Sequence, residues 1–271
     1  MFIKKWKGGV GMKRIILIGI VVSLFALPLQ GMAAEKAKND LKIPQHVLNI
    51  SKENTYPNPS QDVPTLQPSE LAQELLDSTN VTIENPRLIR LFNESAIKTH
   101  TLSVGMNARI YLGKWPLNYQ SEETTVNWEY KKANVNEFDN RGGKGHATIT
   151  YEQKQETKIS GGLTSTVPGS EDVKQMMMMK AAEKSNLPLS FKTVVGVGTK
   201  KDQVYNVAPK KVGQLISYVP AVNEKGKVTY GEVYIVLNGN KKSLEIKNVT
   251  QQGIGAWIPV QDHLSFQFHV R

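Results

Sequence analysis

The dipeptide Asn238-Gly239, set inside a long run of strand-forming residues, restricts the fold of this chain more than any other feature. Before it, Lys227 to Leu237 reads Lys-Val-Thr-Tyr-Gly-Glu-Val-Tyr-Ile-Val-Leu. After it, Asn240 to Val249 reads Asn-Lys-Lys-Ser-Leu-Glu-Ile-Lys-Asn-Val. β-Branched and aromatic residues on both sides of Asn-Gly predict a β-hairpin, because a type I′ turn needs positive φ at both central residues. With Leu237 opposite Asn240, Val233 faces Leu244 and Gly231 faces Ile246. The side chain that Gly231 lacks is then supplied from across the ladder.

The rest of the chain adds short helices and more strands. Pro68 fits a first helical position with Glu70 two residues on, and Leu71, Leu75 and Leu76 form one stripe. Asn85-Pro86 repeats the start signal ahead of Leu88, Ile89 and Phe92. From Met106 to Ser160 the apolar period becomes two: Ala108, Ile110 and Leu112, then Val126, Trp128 and Tyr130, then Ala147, Ile149 and Tyr151. Ser170 is placed to cap a helix whose first turn carries Glu171 and Asp172, and which runs through Met176–Met179 to about Ser185. Strands are expected over 189–197, 203–207 and 212–222, with Asn223-Glu224-Lys225-Gly226 as a type I turn leading into the hairpin. In the last segment Leu264, Phe266, Phe268 and Val270 alternate with polar residues, which predicts one buried and one wet face. The fold class is α+β, mainly antiparallel sheet with two or three short helices. Val-Asn-Glu recurs at 135–137 and 222–224, and helix followed by strands occurs twice. This repetition sets the expectation of two similar halves, 68–165 and 166–271.

The N-terminus reads as a targeting segment. Lys4, Lys5, Lys7, Lys13 and Arg14 precede an apolar run from Ile15 to Leu29, and Gly31-Met32-Ala33 supplies small residues for cleavage. That is the plan of a secretory signal over residues 1–33, and the run is shorter than the roughly 20 residues that span a bilayer. A retained anchor is the alternative. Removing residues 1–33 takes five of the 34 Lys and Arg and none of the 24 acids, so the formal charge falls from +10 to +5. The remainder favours anionic surroundings, a cell-wall polymer or a membrane surface. Absence of cysteine excludes disulfides, thiol catalysis, thiolate metal sites and lipid attachment. Residues 34–67 are polar and proline-rich and predict an extended arm, parts of which pack through Val47, Leu48, Ile50 and Tyr56. The body spans 68–271.

Chemical motifs are sparse. His46, His100, His146, His263 and His269 lie far apart and form no metal-ligand spacing. Ser95-Ala-Ile-Lys98 matches a Ser-x-x-Lys signature without its companion motifs. Gly196-Val-Gly198-Thr-Lys200-Lys201 is short of a phosphate loop or dinucleotide fingerprint, and it reads as a strand end and a basic turn. Met176 to Met179 covers more than one helix face. It suits a helix buried between sheets, an adaptable groove or a soft thioether site. Lysine pairs at 131–132, 200–201, 210–211 and 241–242 either hold an anionic polymer or guard sheet edges. Gly253 to His263 combines backbone freedom with Trp257, Asp262 and His263, and either lines a cleft or packs its tryptophan inward. The candidate binding residues are therefore Met176, Met177, Trp257, Lys200, Lys201, Asp262 and His263. No catalytic residue, metal or cofactor is assigned, and no nucleic-acid-binding motif is present.

The segments Ser51-Lys-Glu-Asn-Thr-Tyr-Pro-Asn-Pro59, Lys227–Lys242 and Gly253–His263 together resemble the YfkD-like family of bacilli, from about Leu41 to the end. The resemblance implies an exported protein of Gram-positive, spore-forming bacteria and carries over no activity and no site residues. The functional expectation is an exported, non-enzymatic, envelope-associated protein with a binding or structural role, secreted or held at the envelope. Two alternatives stand beside it. One is an envelope hydrolase using a pair of carboxylates drawn from residues such as Glu122, Glu123, Asp139 and Asp262. The other is a lipid or peptide carrier using the methionine helix.

Overall fold

The structure, a computed structural model, describes residues 42–59, 66–95 and 107–271. The expected signal, the start of the arm, Lys98 and His100 lie outside them. Asn39–Arg271 is one compact unit. It contains β1 (Val47–Asn49), α1 (Glu70–Asp77), α2 (Pro86–Glu94), β2 (Asn107–Asp139), β3 (Ala147–Glu152), β4 (Thr157–Ser160), β5 (Gly162–Leu163), α3 (Ser170–Ser185), β6 (Lys192–Val195), β7 (Lys200–Val207), β8 (Val212–Asn238), β9 (Lys241–Pro259) and β10 (His263–Val270).

Three long antiparallel runs make the frame. The 27 residues of β8 pair on one side with the 33-residue β2 along their whole length. On the other side β8 pairs with β10 over 213–218 and with β9 over 221–238. At roughly 3.3 Å per residue a straight β8 would extend about 90 Å. A twisting sheet of that reach needs local relief, and β2 supplies it through five register shifts against β8. Gly113, at φ +106, sits in the first of them. On the other edge Asn248, at φ +51, lies in the bulge between the Tyr230–Thr250 and Glu232–Lys247 pairs. Strand residues outnumber helical ones, so the α+β class holds with the sheet dominant. Every sheet joins strands from 68–165 with strands from 166–271: β2 with β8, β3 with β7, β4 with β6 and β5 with β9.

Three cores lie along this frame. The α1–α2 pair packs Leu75, Leu88 and Phe92 against Leu117, Val233, Ile235 and Leu244. Helix α3 packs Val173, Met176, Met177 and Ala181 against Val222, Val228, Ile254 and Ile258. A third cluster gathers Ile50, Tyr151, Val207, Leu215, Leu264 and Phe266. Asn85 caps α2 as its sequence predicts, its side chain accepting from the backbone N–H groups of Arg87 and Leu88. Helix α1 starts at Glu70 with Ser69 as its cap, two residues beyond the Pro68 start. Helix α3 is preceded by Gly169 at φ +62, so Ser170 is its first residue and not its cap.

Four expectations need correction. The hairpin pairs Asn238 with Lys241, so the loop is Gly239-Asn240 and only Gly239 has positive φ. Ile246 then sits opposite Val233, yet its Cγ2 lies 2.6 Å from where a Gly231 Cβ would stand, beside Leu117. The cross-ladder filling is achieved diagonally. Asn223–Gly226 is no turn, because β8 runs straight through it. Gly226 is there for close approach: a Cβ would fall 2.1 Å from the Gln120 carbonyl oxygen and 2.6 Å from the Tyr119 hydroxyl. The segments around Ala108–Leu112 and Val126–Tyr130 are one strand, β2, and not two. Finally, β10 is buried on both faces at its start, where Ser265 has no exposure, and open at its end, where Val270 is exposed. Leu264 and Phe266 pack into the third core while Ser265 on the opposite face is closed off too, so alternation fails there.

Gly226→Ala should therefore destabilise the protein by roughly 1–3 kcal/mol, as overpacking does. Gly253→Ala, where a Cβ meets nothing within 4 Å, should lie within about 0.5 kcal/mol of wild type. Equal denaturation midpoints for the two variants would contradict this account of Gly226.

Candidate functional site

The densest polar constellation is where the proline-rich arm crosses β6. The Asn54 amide donates to the Val194 carbonyl (2.9 Å) and to Asp262 Oδ1 (2.8 Å), and the Asn58 amide repeats both bonds at the same distances. In return the Val194 N–H donates to Asn58 Oδ1 and the Gly196 N–H to Asn54 Oδ1, each at 3.0 Å. Two asparagine side chains thus act as a neighbouring strand for β6, satisfying backbone groups on its edge. Thr55 adds bonds to the Val197 carbonyl and to Thr199, and Gln261 donates to the Pro59 carbonyl. Gly196 allows the arm to approach, since a Cβ there would lie 2.2 Å from Thr55 Oγ1. Asp262 holds its accepting oxygen in place from a left-handed backbone at φ +52, and its carbonyl accepts from the Ile50 N–H. The hydrogen bond from the Lys201 ammonium, aided by its charge, holds the Glu53 carboxyl below its ordinary range.

The seven candidate binding residues do not converge. Asp262 belongs to this junction, and Lys201 joins it through its ion pair with Glu53. His263, buried beside Asp262, places Nδ1 2.8 Å from the Gln261 carbonyl oxygen. Lys200 pairs with Glu152 at 3.3 Å on the surface. Trp257 stacks on Tyr130 with ring centres 5.1 Å apart and planes 16° apart. Met176 and Met177 are in the α3 core at 2% and 0% exposure, which is gap-filling by unbranched side chains.

Glu224 is the acid that sequence reading passed over. It sits on β8 with no exposure, where Tyr119 Oη donates to Oε1 at 2.9 Å and Thr124 Oγ1 to Oε2 at 2.5 Å. Among the described residues no cation pairs with it. Burial, reinforced by this carboxylate, pushes the Tyr119 phenol well above its ordinary pKa. The group ties β2 to β8 from inside, and without exposed surface it meets no substrate. Its sequence context, Asn-Glu-Lys-Gly, looks like a turn, which hid it.

The other acids singled out from the sequence have ion-pair partners. Glu122 pairs with Lys227, Glu123 with Lys225 and Asp139 with Arg141. Ser95 donates its hydroxyl to the Leu91 carbonyl. Among the described residues no three His, Asp or Glu side chains gather as a metal site, and no helix is long and apolar enough to cross a membrane. The depression lined by Leu48, Tyr151, Lys201, Gln203, Tyr205 and Phe266 encloses about 0 Å³. Asn54 and Asn58 escaped notice as site residues because asparagine in a proline-rich segment reads as turn chemistry, although both lie in the segment that carries the family resemblance.

With this geometry in hand, the chain belongs to the YfkD-like protein family, whose model matches residues 44–271. It is 60% identical over 259 residues to the uncharacterized protein YfkD of Bacillus subtilis (strain 168), covering 96% of this chain and 98% of that one. Among solved structures, the lamprey immune protein matches over 62% of this chain and 54% of its own, with 6% identity and a TM-score of 0.25. That likeness is too slight to carry a shared fold.

Asp262→Ala leaves both asparagine amides short of an acceptor and should cost about 2–4 kcal/mol, since hydrogen bonds to a charged group are the stronger kind. Tryptic cleavage after Lys52 should accelerate well beyond the change expected from global stability, and unchanged cleavage would refute the clamp. Alkaline stability tests the second constellation. Because the folded Tyr119 pKa is raised, its contribution is complete below the unfolded value of 10.0 and is lost as pH rises above it. Tyr119→Phe should therefore show a shallower fall in denaturation midpoint between neutral pH and pH values above 10.

Proposed function

We propose that this protein is a non-enzymatic component of the cell envelope, exported through residues 1–33, with a binding or bracing role there. The observation that carries the reading is the internal use of its reactive groups. The buried acid Glu224 ties two strands, Asp262 anchors the arm, and Glu122, Glu123 and Asp139 neutralise neighbouring cations. Hydrolysis by two carboxylates needs a pair facing a cleft, about 5–10 Å apart, and these acids are bound to separate partners. A carrier needs an open groove, and the methionines of α3 that the described residues place in the core line none. The excess of cations beyond the signal supports attraction to an anionic envelope.

Fractionation of the producing cell tests this. The protein should appear with the envelope, be released by high salt, and rebind purified envelope when salt is lowered, because exposed charges are screened within about 10 Å at 0.1 M salt. Recovery in the cytosol, or no rebinding at low salt, removes the reading.

A further inference from the structure

We propose that the end of the molecule where β2, β8 and β10 terminate is a docking face for an anionic phospholipid bilayer. Five strand ends meet there. Asp139 pairs with Val212, Val270 with Gly213 and Ala147 with Val207. The buried Asn140 fastens the loops that join them. Its N–H donates to the Lys211 carbonyl, its own carbonyl accepts from the Lys210 N–H, and its side-chain amide donates to the carbonyls of Gly145 and Val207. This holds Arg141, Lys144, Lys210, Lys211 and Arg271 at one end. The acids beside them, Asp139 and Glu137, are engaged by Arg141 and Arg271. Lys144, Lys210 and Lys211 are exposed and have no side-chain partner among the described residues. Elsewhere among the described residues eight lysines, Lys225, Lys227, Lys180 and Lys200 among them, have a carboxylate partner.

Two further observations point to a lipid surface. Lys210 follows Pro209 and takes φ +64, a position where a turn normally uses glycine. A bulky residue held in this conformation keeps a cation at the tip where glycine would be easier. On the adjoining strands Phe138 and Val270 are both cross-strand partners of Gly213, so they share one face of the sheet. Both are exposed, at 40% and 45%. Cations at the same end of the molecule as exposed apolar side chains match a surface whose phosphates lie above hydrocarbon. A hydrophilic polyanion would answer only the lysines, which is why the bilayer is favoured over a wall polymer. The inference rests on the envelope reading only for where the lipid is met.

The test is co-sedimentation of the protein purified from its own host with phosphatidylcholine vesicles, with and without phosphatidylglycerol. Binding should require phosphatidylglycerol and weaken as salt rises. The combined variant Lys144→Gln, Lys210→Gly and Lys211→Gln should bind about a hundredfold more weakly, each cation contributing roughly fivefold. Lys210→Gly relieves the backbone, so an undiminished melting temperature in that single variant confirms that the turn survives. Phe138→Ser should weaken binding at every salt concentration without changing the salt dependence. Wild-type binding by the triple variant overturns the face, as does equal binding to both vesicle types. Retention by soluble poly(glycerol phosphate) as tight as by the vesicles would transfer the face to a polymer and likewise overturn the bilayer. If the triple variant still rebinds purified envelope, the envelope role stands without this face. If vesicle binding behaves as expected in a protein recovered from the cytosol, the face stands without that role.

Discussion

Hydrogen bonding along β8 is the constraint on which the other parts depend. Nearly all of its 27 residues lie between partner strands, β2 on one side and β10 then β9 on the other. The helices and small sheets pack onto this frame at successive positions, giving three cores in place of one. The arrangement explains why polar residues recur in the interior. A long sheet covered piecewise has junctions between covers, and backbone or side-chain polar groups caught there need partners. Asn54, Asn58 and Asp262 satisfy one junction, Glu224 with Tyr119 and Thr124 a second, and Asn140 a third. Ser265 Oγ, buried without a partner, marks where the same solution is incomplete.

Local chemistry was readable where it was decided locally. The Asn85-Pro86 helix start, the end of α3 at Ser185 and the hairpin near Gly239 all follow from neighbours in sequence. What the sequence could not settle came from distant partners. Gly226 looks like a turn residue, and its reason lies in the approach of Gln120 and Tyr119, about a hundred residues earlier in the chain. The hairpin register moved because the two-residue loop is Gly239-Asn240 and not Asn238-Gly239, and the Asn248 bulge shifts the pairing again only beyond Lys247. Ser265 reads as solvent-facing, and its side chain is fully buried on the face that alternation assigns to water.

The candidate site was less legible. Asp262 was singled out among residues grouped for a cleft, whereas its partners are asparagines in the arm. The methionine run suggested a soft surface, and close packing against β8 and β9 accounts for it. Lysine pairs look alike in sequence. Ion pairs separate Lys200 and Lys201, bound to Glu152 and Glu53, from Lys210 and Lys211, whose neighbouring acid Asp139 is taken by Arg141.

The arm also has a mechanical consequence. At the start of the described chain, three rungs of β1 on β10 and then the asparagine amides fasten the arm to the body. Tension entering from the N-terminal side loads these few bonds before it reaches the long ladders of β8. The arm would peel away as a sacrificial link, leaving the three-strand frame unstretched behind it.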